Sequence, residues 1–460
     1  MKNEKIFEEA VREIIGLVDA KKYISARNRL LDMNRVDIAE ALEEIIEALG
    51  ISYTVILFRM LPKDVSVEVF SYLPTDDQLA VINVITDKEL SYIISEMDFD
   101  DMIDVLEELP ANIVDKILSK ATKEERGRIN TFLNYPHDSA GSLMTPDYIS
   151  LRKDMTVKGS LAHIKREGMD SETVYTCYVK DAGRKLLGIV SLRTLVVSDD
   201  GALIGDIMCG CEDMVYVNAH DDQEYVSELF KKYGFLAIPV VDGEKRLVGI
   251  ITVDDILNVI EEEYNEDFEK MAGVLDAPDA EYLDIGVLKH VKSRLPWLIL
   301  LMISAMLTGG IIRSFESLLT HALSLAVYLP MLMGTGGNSG SQTATLVIRG
   351  MAVGDLQLRD AAKVFWKELR VSFSIGLVLS SLNFAKILFL DRESLSVATA
   401  VCVSMLFIVM IAKSIGGMLP IVAKRVGVDP ALMAAPMISS LTDIISCFTY
   451  FSLATVIFRL

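Results

Sequence analysis

The 460-residue chain carries 65 acidic and 45 basic side chains, a formal charge of −20, yet 51% of it is hydrophobic and its mean hydropathy is +0.36. So negative a surface excludes an electrostatic nucleic-acid binder and attracts cations, while the hydropathy excludes a chain that is soluble throughout. The two properties separate along the sequence: residues 1–295 hold 57 acids and 33 bases, and from Pro296 onward there are eight acids and twelve bases. The segment MKNEKIFEEA has no apolar run to serve as a secretory signal, so the acidic half is expected in the cytosol. Cys177, Cys209, Cys211, Cys402 and Cys447 are scattered, without a second pair at zinc-site spacing, and are expected to be reduced.

From Asn3 to about Asn134 apolar residues return every three or four positions, with breaks at Leu61-Pro62, Leu73-Pro74 and Leu109-Pro110. Short amphipathic helices with regular punctuation predict a small helical solenoid without a catalytic signature. From about Asp138 the chain repeats itself. KLLGIVSLRTLV (185–196) is echoed by RLVGIITVDDIL (246–257), with Gly188 and Gly249 in matching places, and Met144 and Met208 match upstream. Each copy reads as a strand followed by a Ser or Thr able to cap the next helix. A duplicated βαββα unit is predicted, and it resembles a pair of CBS domains, modules that bind nucleotides or ions.

After the second copy come Glu261, Glu262, Glu263, Glu266 and Asp267. Helical spacing puts Glu263, Glu266 and Asp267 on one face, where their charges repel. The stretch is expected to continue as a helix through Lys289, Lys292 and Arg294 into the membrane.

Five apolar stretches follow, at 297–315, 322–348, 364–390, 397–423 and 431–458, each long enough to span a bilayer. Basic residues cluster before the first, around the connection of the second to the third, and after the fourth at Lys424 and Arg425. The positive-inside rule places these in the cytosol, and five crossings then put Leu460 outside. The second stretch holds Gly334 to Gln342, nine small or polar residues in succession. Tight packing accounts for the glycines but not for Asn338 and Gln342. An interrupted helix, with carbonyls facing an ion, is therefore expected here. In the fifth stretch Asp443 is a lone acid, and Pro436 is expected to break the helix before it. An acid with hydroxyls and carbonyls, lacking thiolate or imidazole, is a hard-oxygen environment suited to Mg²⁺.

The order of these parts, with PMLMGTGGNSGSQTATLVIRG and GVDPALMAAPMISSLTDIIS, resembles the MgtE family of magnesium channels over essentially the whole chain. The resemblance implies a multidomain protein: an all-α helical domain over 1–135, an α/β tandem CBS pair over 136–262, a connecting helix over 263–295 and an all-α transmembrane domain of five helices over 296–460. It implies a non-enzymatic homodimer with a pore on the two-fold axis, spanning the inner cell membrane with its N-terminus cytoplasmic. There Asp443 of both subunits, Asn338 and the carbonyl of Ser439 would meet Mg²⁺, with Ala435 where an asparagine is expected. Feedback closure by cytosolic Mg²⁺ would use Glu68, Asp100 and Asp104 in the helical domain, Asp222, Glu224 and Asp255 in the CBS pair, and Glu263, Glu266 and Asp267 beyond it. Gly234 and Asn258 stand where the family can carry acids, so one sensing site is expected to be weaker. ATP is a further ligand of the CBS pair in some members. Passive flux is expected, since no Walker-type P-loop is present. The rival readings are a transporter preferring Mn²⁺ or Co²⁺, and a membrane-tethered sensor that does not transport.

Overall fold

A computed structural model describes residues 2–169, 171–212, 214–275, 282, 285–433 and 435–459. Its elements group into two units, Met1–Ile260 and Glu261–Leu460.

The first unit opens with ten helices: α1 (Lys2–Asp19), α2 (Tyr23–Leu31), α3 (Arg35–Leu49), α4 (Ile51–Met60), α5 (Lys63–Ser71), α6 (Thr75–Ile82), α7 (Asp87–Glu96), α8 (Phe99–Glu108), α9 (Ala111–Lys120) and α10 (Lys123–Phe132). The expected punctuation is visible in the backbone. Pro62, Pro74 and Pro110 are the extended N-cap residues of α5, α6 and α9; each pushes its predecessor out of the α region and sets the start of the next helix. Elsewhere Thr86 with Glu89, and Thr122 with Glu125, close capping boxes on α7 and α10. One face of each helix is buried, as with Ile38, Leu42 and Ile45 of α3, and this core continues into the following α/β part through Phe132, Met144 and Phe230.

The repeat folds as two βαββα copies. The first is β1 (Tyr148–Leu151), α11 (Val157–Glu167), β2 (Thr173–Lys180), β3 (Leu186–Ser191) and α12 (Leu192–Val197); α13 (Ile204–Ile207) and β4 (Cys209–Gly210) follow. The second is β5 (Val217–Asn218), α14 (Gln223–Tyr233), β6 (Ala237–Val241), β7 (Leu247–Thr252) and α15 (Val253–Ala272). The strands form sheets of order β1-β2-β3-β4 and β5-β6-β7. The matched glycines have the same cause. A Cβ on Gly188 would overlap the carbonyl of Cys209, and one on Gly249 would crowd Met144 and the carbonyl of Thr145. The capping residues diverge: Ser191 accepts from the Thr194 N–H at 3.0 Å, whereas the Thr252 hydroxyl donates to Asp255 at 2.6 Å.

In the second unit α15 ends at Ala272, and the expected continuous connecting helix is not formed. Gly273 adopts φ +74°, and the Trp297 indole occupies the place a Cβ would take, so the chain turns out of the helix at a residue only glycine fills easily. Residues 276–281, 283 and 284 of that expected helix lie outside the described residues. A new helix, α16 (Val287–Ser314), carries Lys289, Lys292, Arg294 and Pro296 without interruption. It is followed by α17 (Glu316–His321), α18 (Ser324–Ala352), α19 (Ala361–Phe389), α20 (Leu395–Val426) and α21 (Ala435–Phe458). Among the described residues four segments, α16, Leu358–Phe389, α20 and α21, are both long and apolar enough to cross a membrane. The fifth expected span is α18, whose 29 residues extend about 43 Å at 1.5 Å per residue, but whose middle is polar.

Two expectations about this half are corrected. First, α18 runs unbroken through Gly334 to Gln342. Two of its glycines are packing surfaces: a Cβ on Gly336 would strike Ser446 and Ile408, and one on Gly340 would strike Ile438 and the Ala412 carbonyl. Second, Pro436 does not break a helix, because α21 only begins at Ala435. In the first turn its missing N–H leaves no helical bond unmade.

The tightest approach joins α18 to α20, where a Cβ on Gly416 would overlap the Gly340 backbone. Gly→Ala inside a helix ordinarily stabilises by up to about 1 kcal/mol. Gly416→Ala is expected instead to destabilise the second unit by roughly 1–3 kcal/mol through overpacking, seen as a lowered Tm of the purified protein.

Candidate metal centre

Helices α18 and α21 meet where Gly337 removes a side chain. A Cβ there would lie 3.2 Å from the Ser439 hydroxyl. That hydroxyl is 3.5 Å from the Ser341 hydroxyl, which donates to the Ala435 carbonyl at 3.4 Å. Asp443 follows Ser439 by four residues and so shares its helix face. Asn338, Ser439 and Asp443 consequently line a single cavity of about 430 Å³, with Gly334 and Gly337 at its wall and Leu329, Pro330 and Met333 as its apolar side. Asn338 is exposed and Asp443 half-buried. The Ser439 carbonyl accepts from the Thr442 hydroxyl at 3.0 Å, and the Ser439 hydroxyl lines the same cavity wall. A carboxylate, a carboxamide and a hydroxyl in a cavity with room for water match a hard cation that keeps part of its hydration shell.

Sequence reasoning missed a second polar constellation in the same unit. Lys413 of α20, only 5% exposed, donates to the Thr343 hydroxyl of α18 at 3.2 Å, and that hydroxyl donates to Glu368 of α19 at 3.0 Å. A lysine inside an apolar stretch was the signal available; the acid that answers it lies on another helix.

In the first unit, Asp100 is buried at the start of α8. Burial, and then the carboxylates of Asp255, Glu172 and Asp101, push its carboxyl up to about 8. Burial, and then Asp98, Asp255, Asp254 and Asp101, push Glu172 to about 7; burial, opposed by the Thr252 hydrogen bond and aided by Asp254 and Asp101, pushes Asp255 to about 6. The structure thus associates two of the expected acids, Asp100 and Asp255, with Glu172, which sequence periodicity could not single out because it sits in the turn between α11 and β2. The other expected acids stand differently. Glu68 pairs with Arg35 at 3.0 Å on the surface, Asp104 is exposed, and Asp222 caps α14 by accepting from the Glu224 N–H at 2.9 Å. Gly234 is the left-handed residue that ends α14, at φ +66°, which explains why an acid is disfavoured there. Asn258 is exposed on α15. Among the described residues no three His, Cys, Asp or Glu side chains stand close enough to chelate an ion directly.

On the part of α15 in the second unit, Glu266 pairs with Lys270 at 2.6 Å, and Lys270 also reaches Asp429, in the connection from α20 to α21, at 3.0 Å. Glu263 and Asp267 are half-buried.

The stretch bearing Asn338, Ser439 and Asp443 decides the family. Residues 329–453 match the MgtE model, described as a divalent cation transporter; residues 33–138 match the MgtE intracellular N domain, and residues 204–262 the CBS domain. The magnesium transporter MgtE of Thermus thermophilus is 38% identical over 403 residues, 87% of this chain and 88% of its own. The chain belongs to the MgtE family. The Bacillus subtilis magnesium transporter MgtE is 33% identical over 413 residues, 87% of this chain and 90% of its own. A crystal structure of the cytosolic domain of the Mg²⁺ channel MgtE in complex with ATP shares 32% identity, covering 54% of this chain and 99% of that one at a TM-score of 0.49. The MgtE assignment agrees with the expected order of helical domain, CBS pair and apolar helices, and makes this a multi-pass membrane protein of a magnesium-transporting family.

Proposed function

We propose that this MgtE-family protein is a Mg²⁺-selective channel of the inner cell membrane, conducting passively and closed by cytosolic Mg²⁺. The observation that carries the reading is the convergence of Asp443, Asn338 and Ser439 on one cavity among apolar helices. In a homodimer with the pore on its axis, two copies of Asp443 supply a charge of −2, which balances Mg²⁺ without removing its water. The basic residues at the ends of α18 and α20 support a reading in which those ends, and the N-terminal unit, face the cytosol. Closure rests on the acids. Asp100, Glu172 and Asp255 resist ionising side by side, and a hydrated Mg²⁺ would relieve that repulsion; Glu263, Glu266 and Asp267 are offered as further sensing groups, and the CBS pair as a site for ATP.

The test is flux into liposomes with the Mg²⁺ on the cytosolic face varied. Uptake is expected to fall as that Mg²⁺ rises, and Mn²⁺ or Co²⁺ in competition should reduce it less than Mg²⁺ does. Flux indifferent to cytosolic Mg²⁺ would remove the sensor; stronger competition by Mn²⁺ or Co²⁺ would replace the substrate.

The acidic cluster also sets a pH dependence. Its carboxyls hold protons more tightly folded than unfolded, so the folded unit binds the excess protons and its stability falls as pH rises from about 4 to about 8. Mg²⁺ at pH 8 should restore what is lost. Asp100→Asn removes the most strongly shifted group and is expected to stabilise the Mg²⁺-free protein at pH 8 by roughly 2 kcal/mol, about 5 °C in Tm, while flattening the pH profile. A Tm lowered by this substitution at pH 8 would contradict the assignment.

A further inference from the structure

The end of α15 is tied to the membrane helices of its own unit at three points. The Lys270 ammonium sits between two carboxylates, Glu266 one turn back at 2.6 Å and Asp429, in the connection from α20 to α21, at 3.0 Å. At the Gly273 turn the Trp297 side chain of α16 fills the place of a Cβ, and the Leu275 N–H donates to the Ser293 carbonyl of α16 at 3.0 Å. Asp429 has a second task. Its Oδ1 accepts from the Ala431 N–H at 2.8 Å and so holds the short turn Pro430–Met433 that leads into α21; the ammonium takes the other oxygen, Oδ2.

Charge opposes this approach at every residue but one. Residues 261–272 hold six acids, and Lys270 is their single base. Without it, Glu266 and Asp429 would face each other as like charges, and a cation would have to enter from solution to hold them together. Lys270 supplies that cation from the chain itself. With side chains 27% and 33% exposed, the Lys270–Asp429 pair is better shielded from salt than a fully exposed ion pair. The same helix carries Glu263, Glu266 and Asp267, and α21, entered through Asp429, carries Ser439 and Asp443.

We propose that Lys270 is a built-in cation of the closing mechanism: its ammonium, clasping Glu266 and Asp429, couples α15 to the start of α21 and lowers the cytosolic Mg²⁺ at which the pore closes. Resting on the reading above of a channel closed by cytosolic Mg²⁺, this clasp is the part of the coupling that no metal ion provides.

The test measures Mg²⁺ flux of the full-length protein in liposomes against the Mg²⁺ on the cytosolic face. Lys270→Gln and Asp429→Asn, the second of which keeps an acceptor for the Ala431 N–H, are each expected to raise the half-closing concentration about three- to tenfold, with flux at zero cytosolic Mg²⁺ no lower than wild type. Lys270→Arg should hold the wild-type value. In a Cys209→Ser background, since Cys209 is exposed, joining Lys270→Cys to Asp429→Cys with a short disulfide-forming bifunctional reagent should close the pore without Mg²⁺, and reductant should reopen it. A half-closing concentration unmoved or lowered in both Lys270→Gln and Asp429→Asn, or a bridged pore that stays open without Mg²⁺, overturns the proposal. Wild-type flux indifferent to cytosolic Mg²⁺ is a different failure: it removes the closure reading itself, on which the clasp depends.

Discussion

Asp443→Ala is expected to lower Mg²⁺ flux at least tenfold, to near the leak of protein-free liposomes. At about 5 Å, across one layer of water, a unit charge attracts a divalent ion by roughly 2 kcal/mol even at the dielectric constant of water, and each 1.4 kcal/mol or so is a factor of ten in occupancy. Two subunits on an axis would double the loss. Charge, more than shape, is what the cavity needs: it is lined otherwise by uncharged groups, Asn338, Ser439 and two glycines. Asp443→Asn should therefore be nearly as damaging as alanine, although it keeps the size and hydrogen-bonding capacity of the side chain, and Asp443→Glu should retain a fraction of the flux. The measurement is a Mg²⁺-sensitive dye inside liposomes at fixed membrane potential, with incorporation matched by quantifying protein. Wild-type conduction by both the alanine and the asparagine variants would sink the pore assignment.

What could be read from the sequence follows from which interactions are local. Helix starts at Pro62, Pro74 and Pro110 are written in neighbouring residues, and the doubling of the βαββα unit shows as matched glycines and methionines. That Asn338 and Asp443 share one cavity fits what their chemistry suggested in sequence, because a carboxylate and a carboxamide in apolar stretches have few structural uses. Misreadings arose where the partner is remote. The glycines of α18 suggested a broken helix, yet Gly336, Gly337 and Gly340 admit Ser446, Ser439, Ile438 and the backbone of α20, none of them near in sequence. The connecting segment promised one helix because its charges keep helical spacing; Gly273 ends it, and the reason is the packing of Trp297. Glu172 joins Asp100 and Asp255 only through the fold, so no periodicity marks it.

Lys413 is the residue whose loss is expected to cost the most stability. It is 5% exposed on α20, and its ammonium donates to Thr343, which in turn donates to Glu368. One chain of two hydrogen bonds thus joins α18, α19 and α20, the helices that carry Asn338 and flank its register. Lys413→Met is nearly isosteric but leaves Glu368 with a hydroxyl where it had a compensating charge nearby. Breaking a direct buried ionic pair typically costs about 3–5 kcal/mol, whereas replacing both members by neutral groups is close to neutral; here the charges are bridged through Thr343 and Glu368 is half-buried, so each single loss should fall below that range. The prediction is therefore one of coupling. Lys413→Met and Glu368→Gln should each lower the Tm of the purified protein strongly, and the double variant should recover most of the loss. Thr343→Val, which removes the hydroxyl between them, should fall between at roughly 1–3 kcal/mol. The check is a double-mutant cycle on thermal unfolding. Because the chain holds α18 in register, the single variants that still assemble should also conduct less than wild type, with the double variant conducting more than either. Strict additivity of the two substitutions would mean that Lys413 and Glu368 act independently, and that Thr343 is a hydroxyl with two unrelated neighbours.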